Sequence, residues 1–253
     1  MKKVDYLVVG DTHGNWPCLL STLYHFKPKC CIIAGDFGWW PTYWGQYTPG
    51  RKEWVQTLDF LLDSLPKSTE IRFIDGNHED LPSLFSEVQK LQEAQGKSRF
   101  DPVELRPNLW YQPRGSTWTL PDGRAIFFCG GAKSVDWKMR KKGVSWFPEE
   151  EIRESDLPDP LPSADIVISH TVPNCLGVLD TLKPVQDVCS MWDPTPDASC
   201  IYLDYVYDSI RPKLWLASHL HCYRSGTFGG TQYVVLDRTD TEMQIWDTFT
   251  YSL

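Results

Sequence analysis

The chain contains no stretch of 18 consecutive apolar residues, which excludes a membrane-spanning helix. It lacks an excess of positive charge. Lys and Arg number 25 against 33 Asp and Glu, giving a formal charge of −8. That balance excludes a protein that coats nucleic acid or an anionic membrane by bulk attraction. A nucleotide held in a local metal site stays possible, because the ions supply the positive charge. The eight cysteines show no CxxC spacing. Several lie in apolar runs such as Cys30-Cys31-Ile32-Ile33, so buried reduced thiols in a cytoplasmic protein are expected over disulfides or a zinc-thiolate site. The apolar run after Met1-Lys2-Lys3 is too short for a signal h-region, and no small-residue cleavage site follows it. There is no internal repeat and no low-complexity tract. Histidine is scarce, with six residues in 253.

What is present fits an ordinary globular chain, with 42% apolar and 23% charged residues. Short apolar runs rich in β-branched residues end repeatedly in Gly, Asp, Asn or His. Tyr6–Val9 runs into Gly10-Asp11, Cys31–Ala34 into Gly35-Asp36, and Ile71–Ile74 into Asp75-Gly76-Asn77-His78. Ile166–Ile168 runs into Ser169-His170, and Leu214–Ala217 into Ser218-His219. These runs are expected to be buried strands. Helical spacing marks Pro17–Phe26, Arg51–Leu65, Leu81–Gln95 and Ser199–Ile210. Alternating strand and helix in the first half predict a largely parallel sheet. Hairpin signals at Pro121-Asp122-Gly123 and Gly229-Gly230 add antiparallel strands later. The expectation is an α/β fold of one domain, with two packed, mainly mixed sheets, helices outside, and exposed insertions near 37–50 and 96–108.

Ligands in α/β sheets gather beyond the carboxyl ends of strands. Here those ends carry Asp11 and His13, Asp36, Asn77 and His78, His170, and His219 and His221. If each strand continues through its motif, period two puts Asp11 with His13, and His219 with His221, on one face. Each motif alone is compatible with turn chemistry. Five of the six histidines at strand ends are hard to explain by packing, and His25, inside a helical pattern, reads as structural.

The order Asp-x-His, Gly-Asp, Gly-Asn-His-Glu, His, His-x-His, running from Asp11 to His221, resembles the calcineurin-like metallophosphoesterase family. The segment Gly130–Ile152, with Ser145-Trp146-Phe147-Pro148-Glu149-Glu150, is similar to small phosphoesterases of bacterial and phage type. Ser218 stands where the family usually has Gly. Gly35-Asp36-Phe37-Gly38-Trp39-Trp40-Pro41 stands where the protein phosphatases carry Gly-Asp-x-Val-Asp-Arg-Gly, so their phosphate-gripping Arg and second Asp are absent.

The resemblance implies a four-layer sandwich and two divalent transition-metal ions. Asp11, His13, Asp36 and His221 would hold one, and Asp36, Asn77, His170 and His219 the other, with Asp36 bridging. Imidazole and carboxylate suit manganese, iron, zinc or nickel better than calcium, and manganese is expected first. The implied reaction is in-line attack by a metal-bridging hydroxide on a phosphoester. Two dications against Asp11, Asp36 and a hydroxide leave the site net positive, and neutral Asn77 preserves that excess. His78 would bond a phosphoryl oxygen or protonate the leaving group. Glu79 would either orient His78 or favour the following helix N-terminus.

The expected substrate is a small phosphoester, possibly a nucleotide, and preferably a diester. The alternatives are a phosphomonoesterase or protein phosphatase, and a non-catalytic scaffold of the same fold. The aromatics Trp39, Trp40, Tyr43, Trp44 and Tyr47 could stack on a nucleobase or pack on themselves. Gly130-Gly131 could admit backbone to the substrate or form a tight turn. The run Trp137–Lys142 could grip a phosphate or form a solvated basic face.

Overall fold

The computed structural model describes residues 4–40, 58–239 and 246–253. Two six-stranded sheets carry the chain. The first holds β1 (Tyr6–Val9), β2 (Cys30–Ile33), β3 (Glu70–Phe73), β4 (Val103–Arg106), β5 (Leu109–Tyr111) and β12 (Thr250–Ser252). Its order is β12-β1-β2-β3-β5-β4. The second holds β6 (Thr117–Thr119), β7 (Ala125–Cys129), β8 (Ile166–Ser169), β9 (Leu214–Ala217), β10 (Arg224–Phe228) and β11 (Thr231–Val235), in the order β10-β11-β9-β8-β7-β6. In both sheets the inner strands are parallel and the edge strands antiparallel.

Strand periodicity divides the apolar runs between two faces. Val8, Ile32, Ala34 and Ile74 of the first sheet pack against Ile126, Phe128, Ile166, Ile168, Leu216 and Val234 of the second. Their neighbours face outward. Leu7, Val9, Cys31, Ile33 and Phe73 meet α1 (Trp16–Phe26), α2 (Leu58–Ser64) and α3 (Leu81–Gln95). Phe127, Val167, Trp215 and Val235 meet Leu203, Val206 and Tyr207 of the helix Ser199–Ile210. The result is helix, sheet, sheet, helix. Both faces of the inner strands are covered, which is why they read as unbroken apolar runs rather than alternating ones.

Asn15 caps α1 by accepting from the Cys18 amide, and Asp80 caps α3 by accepting from Ser83. All eight cysteines are free. No described helix is long and apolar enough to cross a membrane.

Two expectations are corrected. Part of the 96–108 insertion is not exposed, because Val103 and Leu105 are buried and β4 adds the sheet's edge strand. Phe37, Trp39 and Trp40 are also buried, with Trp39 in the outer core of the first sheet and Trp40 against Leu81 and Phe147. Packing therefore accounts for these two tryptophans. Tyr43, Trp44 and Tyr47 lie outside the described residues, as does the 51–57 part of the expected Arg51–Leu65 helix.

Beneath the end of β3 lies a buried ion pair. Arg114 donates to Asp75 Oδ2 from Nε at 2.9 Å and Nη2 at 2.7 Å, and Tyr111 donates to Oδ1 at 2.7 Å. Removing the cation strands a buried carboxylate. Arg114→Leu should therefore lower the unfolding free energy in a urea titration by about 3–5 kcal/mol.

Candidate metal centre

β1 ends at Val9 and β9 at Ala217, so neither motif continues its strand. The period-two expectation for Asp11 with His13 and for His219 with His221 is thereby corrected. These residues sit in turns. His13, Asp36, His219 and His221 have φ of 45°, 44°, 65° and 48°, the left-handed region. Among the described residues only three other non-glycine residues share it: Lys27 and Arg211, which end helices, and Asn108. Side chains avoid this region, and its cost is of order 1–3 kcal/mol per residue. Concentration of such backbone at histidines and an aspartate marks a built site.

The turns are locked together. The Thr12 and His13 amides donate to Asp36 O at 3.2 and 2.6 Å, and Thr12 Oγ1 donates to Phe37 O at 2.8 Å. Asp11 is fully buried and accepts from the His219 amide at 3.2 and 3.1 Å. Ser218, in the place of the family's glycine, places its hydroxyl between Asp11 Oδ1 and Ala34 O. Gly35 has φ +99°, and a Cβ there would lie 2.0 Å from His170 Nδ1. A Cβ on Gly76 would lie 2.1 Å from Asp36 Oδ1. Both glycines are needed for close approach.

The eight expected residues form one contact set with Asp36 at its centre. On one side, Asp11, His13, Asp36 and His221 each offer an atom within 4.8 Å of the others. His221 Nε2 is 3.2 Å from Asp11 Oδ2, and 3.1 Å from His13 Nε2. On the other side, His170 Nε2 lies 3.0 Å from Asn77 Oδ1 and 3.5 Å from Asp36 Oδ1, and its ring is 4.8 Å from that of His219. Asp36 Oδ1 also accepts from the His78 amide at 2.8 Å. Asp36 Oδ2 is buried, has no hydrogen-bond donor among the described residues, and lies 3.5 Å from His13 Nε2.

A divalent cation fits this donor set. It satisfies the orphaned carboxylate oxygen and accounts for two imidazole nitrogens converging on one point. His170 Nδ1 lies 3.0 Å from Ala34 O and donates to it, so Nε2 is the nitrogen that would lose its proton and turn a lone pair inward when a cation binds.

Charge in the cluster is compensated internally. Burial opposes ionisation of Asp11, but His170 and then a hydrogen bond with His221 hold its carboxyl at about 2. Burial likewise opposes ionisation of Asp36, and His170, His78 and His13 pull it well below the usual carboxylate range. Against burial, Asp36 and Asp11 raise His170 to about 10. Burial and then His170 depress His219 to about 4.

Four surrounding residues, Glu79, Arg140, Ser134 and Glu150, were misjudged or missed in the sequence. Glu79 does not orient His78. Its buried carboxylate accepts from the amides of Gly38, at 3.0 Å, and Trp39, holding the loop after Asp36. The partner of His78 is Arg140, whose Nη2 is 2.7 Å from His78 Nε2. Arg140 is also 2.7 Å from Asp136 Oδ1 and turns inward from the expected basic face, where Lys141 and Lys142 stay exposed. An Asp at i and Arg at i+4 was the signal available for it. Asn77 Nδ2 donates to Ser134 Oγ at 2.9 Å, and Ser134 donates to the buried Glu150. Gly130 and Gly131 serve close packing, since a Cβ on them would meet Asp75 Oδ1 at 2.4 Å and the Arg114 guanidinium at 2.7 Å.

Residues 5–223 match the family model of the calcineurin-like phosphoesterases. The chain belongs to that family. No curated protein matches it. Among solved structures, it is similar to GAP50, the anchor in the inner membrane complex of Plasmodium, with TM-score 0.44, 11% identity, and coverage of 94% of this chain and 72% of that one. It is also similar to a putative 5′-nucleotidase from Staphylococcus aureus, in complex with alpha-ketoglutarate. There the TM-score is 0.43 and the identity 14%, over 92% of this chain and 48% of that one. The chain thus spans about half the length of the staphylococcal protein.

The Gly35 contact yields a test. Gly35→Ala should displace His170, and the purified variant should retain less divalent metal than wild type by elemental analysis while still showing β-rich circular dichroism.

Proposed function

We propose that the chain is a dinuclear-metal-dependent phosphohydrolase, acting as a phosphodiesterase on a nucleotide or another small phosphoester. The observation that carries this reading is Asp36, whose two carboxylate oxygens face opposite halves of a His, Asp and Asn donor set. Asp11, His13, Asp36 and His221 would hold one ion, and Asp36, Asn77, His170 and His219 the other. Manganese suits the ligands first, with iron, zinc or nickel as competitors. Such a pair lowers the pKa of water towards neutrality and neutralises charge developing on phosphoryl oxygens. The free thiols suit a reducing compartment such as the cytoplasm.

The protein's own residues have distinct tasks. Arg140 is a cation fixed beside the site and would grip a non-bridging phosphoryl oxygen, a task the second motif leaves unfilled. Its guanidinium donates to His78 Nε2, so the neutral His78 ring carries its proton on Nδ1. For His78 to donate from Nε2 to the leaving group, Arg140 must turn from that nitrogen to the phosphate, and Nε2 must then take up a proton from solvent. Substrate binding and proton donation are coupled through this contact. The missing second-motif Arg favours a phosphate that carries one negative charge, which is a diester.

Activity with Mn²⁺ on bis-p-nitrophenyl phosphate should exceed that on p-nitrophenyl phosphate. Turnover of the monoester alone would move the assignment to a phosphomonoesterase, and no turnover with metal bound would leave a binding scaffold. His78→Ala should keep its metal but lose kcat by about 10²–10⁴-fold. Arg140→Ala should instead act chiefly on KM, with kcat/KM falling on the order of 10- to 100-fold.

A further inference from the structure

The geometry points to Ser134 and Glu150 as positioning residues that fix which end of the Asn77 amide faces the metal centre. The inference rests on the dinuclear reading above. An Asn side chain has two ends of nearly equal shape, and only the oxygen can ligate a cation. Something must therefore set its orientation.

The chain of donors does so. Glu150 is 1% exposed, and its Oε1 accepts from the Phe147 amide at 3.1 Å. Its Oε2 accepts the hydroxyl proton of Ser134, which is also 1% exposed. With that proton committed, Ser134 Oγ presents a lone pair, and Asn77 Nδ2 donates to it at 2.9 Å. Asn77 Oδ1 is left pointing at His170 Nε2, 3.0 Å away. Burial raises the Glu150 carboxyl to about 8, with Ser134 and Arg140 opposing the rise. Cations bound beside Asn77 would oppose it further and favour the carboxylate. A carboxylate can accept from both donors at once.

Glutamine at this position cannot. The Phe147 amide is fixed backbone and claims the single amide oxygen, so the NH₂ group faces Ser134. Ser134 then accepts from it and turns its own proton to Asn77. Asn77 must answer with Oδ1, which sends Nδ2 to the metal side. The polarity of the relay is reversed with almost no change of shape.

The test uses the whole protein, stripped of metal and titrated with Mn²⁺ by calorimetry, with electron paramagnetic resonance reporting spin coupling between paired ions. Circular dichroism and Tm of each metal-free variant come first. Glu150→Gln should keep the wild-type fold, lose the coupled signal, and weaken one of the two binding steps by about 10–100-fold. In an Asn77→Asp background the same change should bring no such loss, because a carboxylate offers oxygen whichever way it turns. Should Glu150→Gln not fold, Ser134→Ala should weaken the same step and Ser134→Thr restore it. Equal loss in both backgrounds would show a packing role and overturn the inference, as would unchanged binding in all variants. Wild-type protein binding fewer than two ions would remove the dinuclear reading itself, a failure visible before any substitution is made.

Discussion

Asp36 is held in a left-handed backbone conformation with its carboxylate buried, and one oxygen has no hydrogen-bond donor among the described residues. Such a group is costly on both counts. It persists because its surroundings over-determine it. Its carbonyl takes the amides of Thr12 and His13, its Oδ1 takes the amide of His78, and Gly76 lacks the side chain that would push it away. The three turns after β1, β2 and β3 thus converge on one residue. A metal ligand set is the arrangement in which these costs are offset, because a dication satisfies the orphaned oxygen and the crowded imidazoles together.

The same constraint explains the hydrogen bonds one layer out. His170 gives its Nδ1 proton to Ala34, Asp11 is held by Ser218 and the His219 amide, and Asn77 by Ser134. Each bond settles an ambiguity of the side chain it touches: the tautomer of an imidazole, the rotation of a carboxylate, the flip of an amide. Outer partners of this kind commonly govern metal affinity almost as strongly as the ligands.

Much of this was legible in the sequence. The apolar runs ending at Gly10, Ala34, Ile74, Ile168 and Ala217 identify the strands, because strands buried on both faces need continuous apolar side chains. The residues that follow them identify the site. The reason given for their convergence was wrong, since alternation along a strand does not apply to turns with positive φ. Residue order reveals the candidate ligands but not the backbone that aims them. Arg140, Ser134 and Glu150 were harder to see because they approach from a separate loop, 57 residues on in the case of the Asn77–Ser134 contact. Within the basic run, only Asp136 four residues before Arg140 distinguishes the cation that turns inward from those that remain in solvent. Glu79 was misread for a related reason: its neighbour in sequence is His78, but its hydrogen bonds go 40 and 41 residues back, to Trp39 and Gly38.

The donor set is divided between the two sheets. Asp11, His13, Asp36 and Asn77 follow strands of the first, and His170, His219 and His221 follow strands of the second. Distances across the site are therefore set by sheet-on-sheet packing, by Val8, Ile32, Ala34 and Ile74 against Ile168 and Leu216. Ala34 joins the two layers directly. It is a core residue between the sheets, and its carbonyl receives both the His170 ring and the Ser218 hydroxyl from the opposite sheet. A larger side chain there would separate the sheets where the two half-sites meet. The apolar core and the candidate metal centre are not separate features of this fold, because the spacing of the donor groups is a spacing between packed layers.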